Sequence, residues 1–540
     1  MATLAELLDS WLDLRHTFEP ALGTRAGAEA HNGRLPGLDA ESVKLEFAGV
    51  RSLAGAVEIL DVTDDAEEID RTALLDVLRA RAHRLEVELP ARRNPAAWLG
   101  ALADCWQALR VHPQGTPAAR AQWALARLEG TEEYLGKAGK NLKSPAAVFV
   151  EEALVLAPAA RQIARQLAAD AAQWLPGLAE RLAAAGERAE LAVAALEHAL
   201  REDVTPSGEP GAYAIGREAY DHRLHFEHAL RPASSELWRW GQHTLEEARR
   251  AAEQAGAAAG YGEELHAAVR KLRASHPADD PQAEVLRALA RVRKWVEGAG
   301  VMPLPPAELR LLEMPATTQA LGGRVRFEAE DVVYIRPASA GASASVPELL
   351  VEVLLELCPG KLTHRSIGRG LAAPVRRGIA TPCATDGWAL YGLDLALELG
   401  FVTDPAERFA VRLAQLHAAA RAVIDIGLHT EGFTPVAATD LLVQLLPLER
   451  EEAQADVRRA AAWPTYSLAA AVGRREIVEL REAWAQATEG PYTSAKRESG
   501  PRESRGAEAQ DVRAFHDALL GYGGLPISLA RWGMDLGLEE

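Results

Sequence analysis

Three short stretches concentrate the groups able to do chemistry: LLELCPGKLTH (Leu354–His364), TDGWALYGLD (Thr385–Asp394) and RAVIDIGLHTEGFT (Arg421–Thr434). Each sets Gly or Pro, which helix interiors avoid, beside acidic, His or aromatic residues. Glu356 and Asp386 could serve as general bases or as ligands for a hard cation, and Lys361 could stabilise negative charge. Arg421, Asp425 and His429 recur every four residues, which brings them near one face of a helix. There Asp425 could accept a hydrogen bond from His429 and fix its tautomer, while Arg421 could pair with Asp425. Such a group could orient a substrate or stabilise an oxyanion. The plainer reading is a polar stripe that glues helices together. For Trp388 and Tyr391 the plainer reading is core packing, and the sharper one a pocket wall with the Tyr hydroxyl turned inward.

Two of the three cysteines, Cys358 and Cys383, fall in the same stretches. They could form a thiol site, or a soft metal site with His364 or His429. Burial of two small residues is the expectation, because cysteine is among the most buried types. His222, His225 and His228 follow at i, i+3 and i+6. The outer two sit roughly 9 Å apart along a helix axis, too far to share one ion easily, so they read as surface or interhelix contacts.

The elements that must hold these residues are helices. Ala, Leu, Arg and Glu dominate the 540 residues, and all four favour helix. The first, TLAELLDSWLDL, opens with Thr3 and Glu6 as a reciprocal cap. NPAAWLGALADCWQALRV starts with Asn94 as cap and Pro95 in the first turn, and Ser144-Pro145 looks like a second such start. TPSGEPGAY (Thr205–Tyr213) is the clearest break. RVRFEAE and DVVYIRP alternate as strands do, and predict one small antiparallel β-sheet. The polar stretch Gly490–Glu508 reads as a mobile loop. These cues divide the chain into 1–204 (helical), 212–300 (helical), 301–345 (the β element) and 346–540 (helical, carrying the three stretches), together one compact unit.

The net charge of −18 excludes a generic nucleic-acid binder and docking on anionic lipid, both of which need basic surface. From the odd, small cysteine count and an N-terminus without a signal-peptide pattern, a cytoplasmic chain is expected. No run is apolar and long enough to span a bilayer.

Taken in order, the three stretches resemble the bacterial family known as domain of unknown function eight-eight-five. GAYAIGREAYDHRL (Gly211–Leu224) and FHDALLGYGGLPISLAR (Phe515–Arg531) extend the resemblance over most of the chain. It implies a mainly α, helical carboxypeptidase-like fold and a zinc metallopeptidase-like activity. There, His and Glu ligands of an H-E-x-x-P-G-H motif hold Zn²⁺ and its Glu activates water. This sequence departs from that pattern. Leu355 and Lys361 stand where the two histidines would be, Asp386 replaces a longer acidic residue, Leu393 takes a second acidic position, and Ala470 stands where the family often has Tyr. Leu has no lone pair to give, and a protonated Lys repels a dication, so the zinc is expected to be lost and no cofactor is expected. Lys361 could then pair with the remaining carboxylates.

Carried over residue by residue, Glu356 and His429 are the catalytic positions, in vestigial or altered roles. Lys361, Asp386, Tyr391, Arg421 and Asp425 are the substrate-binding positions. The expected function is a pseudoenzyme able to bind a peptide or small amide in the ancestral cleft. An active hydrolase working through a carboxylate or another non-zinc mechanism is the alternative, and a plain helical interaction protein the third.

Overall fold

Local signals set most helix starts. Thr3 accepts from the Glu6 amide and Glu6 returns a bond to the Thr3 amide, capping α1 (Leu4–Phe18). Asn94 accepts from the amides of Ala96 and Ala97 at the head of α2 (Pro95–Val111). The expected start at Ser144-Pro145 shifts: α3 (Ala147–Trp174) begins later and runs through Pro158. Ser144 is left-handed at φ 40°, and the Pro145 carbonyl accepts from the Ser207 amide, so the chain still turns there. The computed structural model describes all residues except 1, 113, 307, 320–322, 330, 338–344, 489–500 and 537–540, and it leaves undescribed the side chains of 329 and 501–510.

Helices α2, α3 and α4 (Ala179–Glu202) bury Trp98, Trp106, Ile163, Leu167, Leu182 and Val193 in one cluster. After the Pro/Gly break come α5 (Arg217–His228) and α6 (Ser234–Ala258). The β element has three strands, β1 (Arg310–Glu313), β2 (Val325–Ala329) and β3 (Val332–Ile335), in the order β1-β3-β2. β2 and β3 pair antiparallel, but β1 runs parallel to β3, so the sheet is mixed, not antiparallel. The connection between β1 and β2 carries a short helix (Ala316–Gln319). It is long enough to leave room for β3 between the other two strands.

The C-terminal part holds α7 (Val346–Glu356), α8 (Lys361–Arg369), α9 (Pro382–Glu398), α10 (Pro405–Thr430), α11 (Arg450–Ala462), α12 (Ala469–Thr488) and α13 (Pro501–Leu520). Of the stretch read as a loop, 490–500 lies outside the described residues, and from Pro501 onward it is helix α13. Hydrophobic clusters cross the segment boundaries read from sequence. One joins Val292 and Val296 to Val333 of β3 and to Leu354, Trp388 and Phe515. Another joins Leu8 and Leu74 to Val375 and Leu529. Among the described residues, no helix is long and apolar enough to cross a membrane.

Candidate functional site

The glycines of the first two stretches are places where backbone meets backbone. α7 gives way to α8 through Cys358-Pro359-Gly360, with a cis peptide before Pro359. A Cβ on Gly360 would lie 1.9 Å from the Leu355 carbonyl oxygen, so only Gly permits this return. Gly392 of α9 lies against Pro359, and the Trp388 indole N–H donates to the Pro359 carbonyl at 2.7 Å. One turn earlier, Gly387 faces Gly473 of α12, where a Cβ would lie 1.9 Å from the Cys383 carbonyl oxygen. These contacts seat the start of α8 beside the start of α9, and so bring Lys361 to Asp386.

Lys361 Nζ donates to Glu356 Oε1 at 2.7 Å and lies 2.9 Å from Asp386 Oδ1. The three side chains are 24%, 14% and 15% exposed, respectively. Burial pulls the Lys361 pKa down, but the charges of Asp386 and Glu356 outweigh it and hold the ammonium well above the ordinary lysine range. The second oxygen of Glu356 accepts from the Phe327 amide at 3.0 Å. One helical turn earlier, Glu352 accepts from the Val325 amide at 2.7 Å. β2 is an edge strand, so its outward amides need partners from elsewhere, and α7 supplies them. Both oxygens of Glu356 are therefore engaged.

The cluster forms part of the wall of a cavity of about 810 Å³, and Arg421 lines the same space. Four residues that sequence reasoning missed join them: Arg326 of β2, Asp456 and Arg459 of α11, and Tyr466. Asp456 sits at the centre of a basic group. His417 Nε2 lies 2.6 Å away, Arg459 Nη1 3.1 Å and Arg421 Nε 3.9 Å. Burial would raise the Asp456 carboxyl, but Arg421, His417 and Arg459 hold it far below the usual carboxylate range. The one available signal was the i, i+3 pair Asp456/Arg459 in QADVRRAAAWP, which looks the same as a solvated helix face.

Arg421 thus faces Asp456 and not Asp425. Asp425 is fully buried and accepts four hydrogen bonds, from the Tyr220 hydroxyl (3.0 Å) and the amides of Thr465 (3.0 Å), Ser467 (2.7 Å) and Leu468 (3.1 Å). Burial lifts its pKa to about 7 against the downward pull of these donors. The expected Asp425–His429 bond is not made. His429 Nε2 bonds the Ala460 carbonyl at 3.0 Å, its Nδ1 has no partner among the described residues, and burial lowers its pKa to about 4. Spacing had put the two side chains on one face, but Asp425 is taken by the amides of the turn at 465–468. That turn, tied also by the bond from Arg223 to the Pro464 carbonyl and by His228 to Thr465, carries Tyr466 into the cavity. Tyr391 is buried off the cavity, its hydroxyl against His516 Nε2 at 3.1 Å and Arg481 at 3.2 Å. Of the seven residues singled out from sequence, Glu356, Lys361, Asp386 and Arg421 share the cavity, whereas Tyr391, Asp425 and His429 do not line it.

The donor set does not fit zinc. Glu356 and Asp386 are already bonded to an ammonium, and among the described residues no three His, Cys, Asp or Glu side chains gather as metal ligands. Cys358 and Cys383 are buried free thiols whose pKa burial raises, Cys358 to about 11, which suppresses the reactive thiolate.

Residues 20–534 match the family described as "Bacterial protein of unknown function (DUF885)", and the chain belongs to it. Two solved structures, each described as a putative lipoprotein, share the fold. The one from Shewanella oneidensis, also of unknown function, has a TM-score of 0.74 at 18% identity, covering 99% of this chain and 100% of its own. The one from Colwellia psychrerythraea has a TM-score of 0.78 at 16% identity, covering 99% of each chain. At such identities the likeness concerns the fold alone. No curated protein matches the chain.

Proposed function

We propose that this chain is a metallopeptidase-like protein in which an ion cluster stands in place of a catalytic metal, a pseudoenzyme that binds a peptide or small amide in the cavity. One observation carries the reading: the Lys361 ammonium bridges Glu356 and Asp386 at 2.7 and 2.9 Å in the wall of a cavity of about 810 Å³. A cavity of this size, part apolar and part polar, suits a small ligand. The apolar part comes from Leu355, Leu390, Leu413 and Ala414, beside the charged cluster. Metal analysis of the purified protein is expected to find no stoichiometric zinc, and a panel of peptides and acylated amino acids to show binding without turnover. The double variant L355H/K361H is expected to gain zinc binding. Stoichiometric zinc in the natural chain would overturn the reading.

An active hydrolase with Glu356 or Asp386 as general base is the weaker alternative, since both carboxylates are already held by the Lys361 ammonium. Turnover that disappears in Glu356→Gln would favour it. We place the chain in the cytoplasm on its three free cysteines. The lipoprotein description belongs to the two structural relatives, and fractionation of cells producing the natural chain would decide between the two locations.

A further inference from the structure

The cavity carries more positive charge than the ion cluster uses. Arg459 is only 7% exposed. Its Nη1 reaches Asp456, but its Nε and Nη2 have no hydrogen-bond partner among the described residues. Those two atoms form one edge of the guanidinium, the edge that takes a carboxylate in a side-on pair. Elsewhere in this chain Arg223 uses the same two atoms on Glu88, at 2.7 and 2.8 Å, and Arg181 uses them on Glu129, at 2.9 Å each. Leaving such donors buried and unmet is costly, because a buried polar group without a partner loses its hydration for nothing.

Two more guanidinium groups border the same space. Arg421 has no hydrogen bond among the described residues. Among those residues its one carboxylate neighbour is Asp456, at 3.9 Å and already shared with His417 and Arg459. Arg326, on β2, has no ion pair among the described residues and lines the cavity too. Arg324 pairs with Glu352, Arg273 with Glu348, Lys361 with Glu356 and Asp386, and Arg458 with Glu152; Glu451 and Glu452 line the space as well. Arg326, Arg421 and Arg459 lie near enough to act on one another. Burial lowers the Arg459 pKa to about 10, Asp456 opposes this, and the charges of Arg421 and Arg326 push it further down.

We propose that Arg459, Arg421 and Arg326 form a subsite for one carboxylate group, the free C-terminal carboxylate of a short apolar peptide or of an N-acyl amino acid, whose body lies along the Leu355–Leu390–Leu413 side of the cavity. This rests on the peptide-binding reading above and names the end of the ligand that the cavity selects. Guanidinium holds carboxylate and phosphate alike in a two-point pair; the apolar side of the cavity beside the arginines favours the carboxylate end of a short apolar peptide, and phosphate is the control.

The test is calorimetric titration of the purified full chain with N-acetyl-leucine, N-acetyl-alanyl-alanyl-leucine, the C-terminal amide of each, and inorganic phosphate. The free acids are expected to bind at least about tenfold more tightly than their amides, since the site would leave its donors unmet by an amide. In Arg421→Gln, which removes a side chain without a hydrogen bond among the described residues, the acid should fall to within about threefold of the amide. Arg326→Gln should weaken the acid without changing the amide, and serves if the first variant does not fold. Equal binding of acid and amide would overturn the subsite while leaving the peptide reading intact. Acid-selective binding accompanied by hydrolysis of the bound amide would support the subsite and sink the pseudoenzyme reading. Tighter binding of phosphate than of either acid, or binding of none of the probes, would overturn the subsite.

Discussion

Replacing Lys361 by Met removes one ammonium and little volume, and it leaves Glu356 and Asp386 facing each other without a counter-charge. Breaking a fully buried ion pair by deleting one partner costs about 3–5 kcal/mol. Here the side chains retain 24%, 14% and 15% exposure toward the cavity. Water there recovers part of the loss, and about 2–4 kcal/mol is the expected destabilisation of Lys361→Met at pH 8. The natural chain has no pH dependence from this lysine near neutrality. Its folded pKa is raised, so its contribution is complete below the unfolded value of about 10.4 and is lost only as pH climbs through the folded value. In the variant, two like charges share one site, and one carboxyl is lifted above its unfolded value of about 4. A carboxyl raised in this way favours folding at low pH and loses that advantage as pH rises. The deficit should therefore shrink between pH 8 and pH 5. Urea unfolding followed by circular dichroism, run on both proteins at the two pH values, measures this directly. The triple variant E356Q/K361M/D386N should recover more than half of the loss, because neutral amides need no counter-charge. A deficit below about 0.5 kcal/mol at both pH values would show that the cluster behaves as a solvated surface pair and refute the reasoning.

Asp425→Asn should flatten part of the pH dependence of stability. The raised folded pKa of about 7 means that Asp425 favours folding below its unfolded value and loses this as pH rises through neutrality. The gap between the natural chain and Asp425→Asn in urea unfolding should accordingly narrow from pH 5 to pH 8. His429→Gln should cost about 1–2 kcal/mol through the lost bond to Ala460. Ligand titration should meanwhile show affinity unchanged within about twofold, since the ring lies off the cavity. Gly473→Ala should destabilise by about 3 kcal/mol or prevent folding, because its Cβ would lie 1.9 Å from the Cys383 carbonyl at the α9–α12 crossing. Thermal unfolding and near-ultraviolet circular dichroism would report it.

The chain by itself determined what is decided within a few residues. The caps at Thr3/Glu6 and Asn94/Pro95, the mainly helical composition, the strand alternation near 325–335 and the Pro359-Gly360 interruption all follow from neighbours in sequence. The set of stretches also pointed to the family that residues 20–534 match. The pairing of Lys361 with the two carboxylates was legible as a possibility, because loss of two imidazoles left charges needing a partner. Only the tertiary structure decided which groups met. Asp425 and His429 share a helix face, yet Asp425 is claimed by three amides some forty residues downstream. Arg421 is met by Asp456 of another helix. β1 lies parallel to β3 because the chain reverses direction twice between them, before β2 and again after it. Propensity and spacing act over one or two helical turns, whereas a buried charge takes the donor or counter-charge that packing brings within 3–4 Å of it, from any point along the chain.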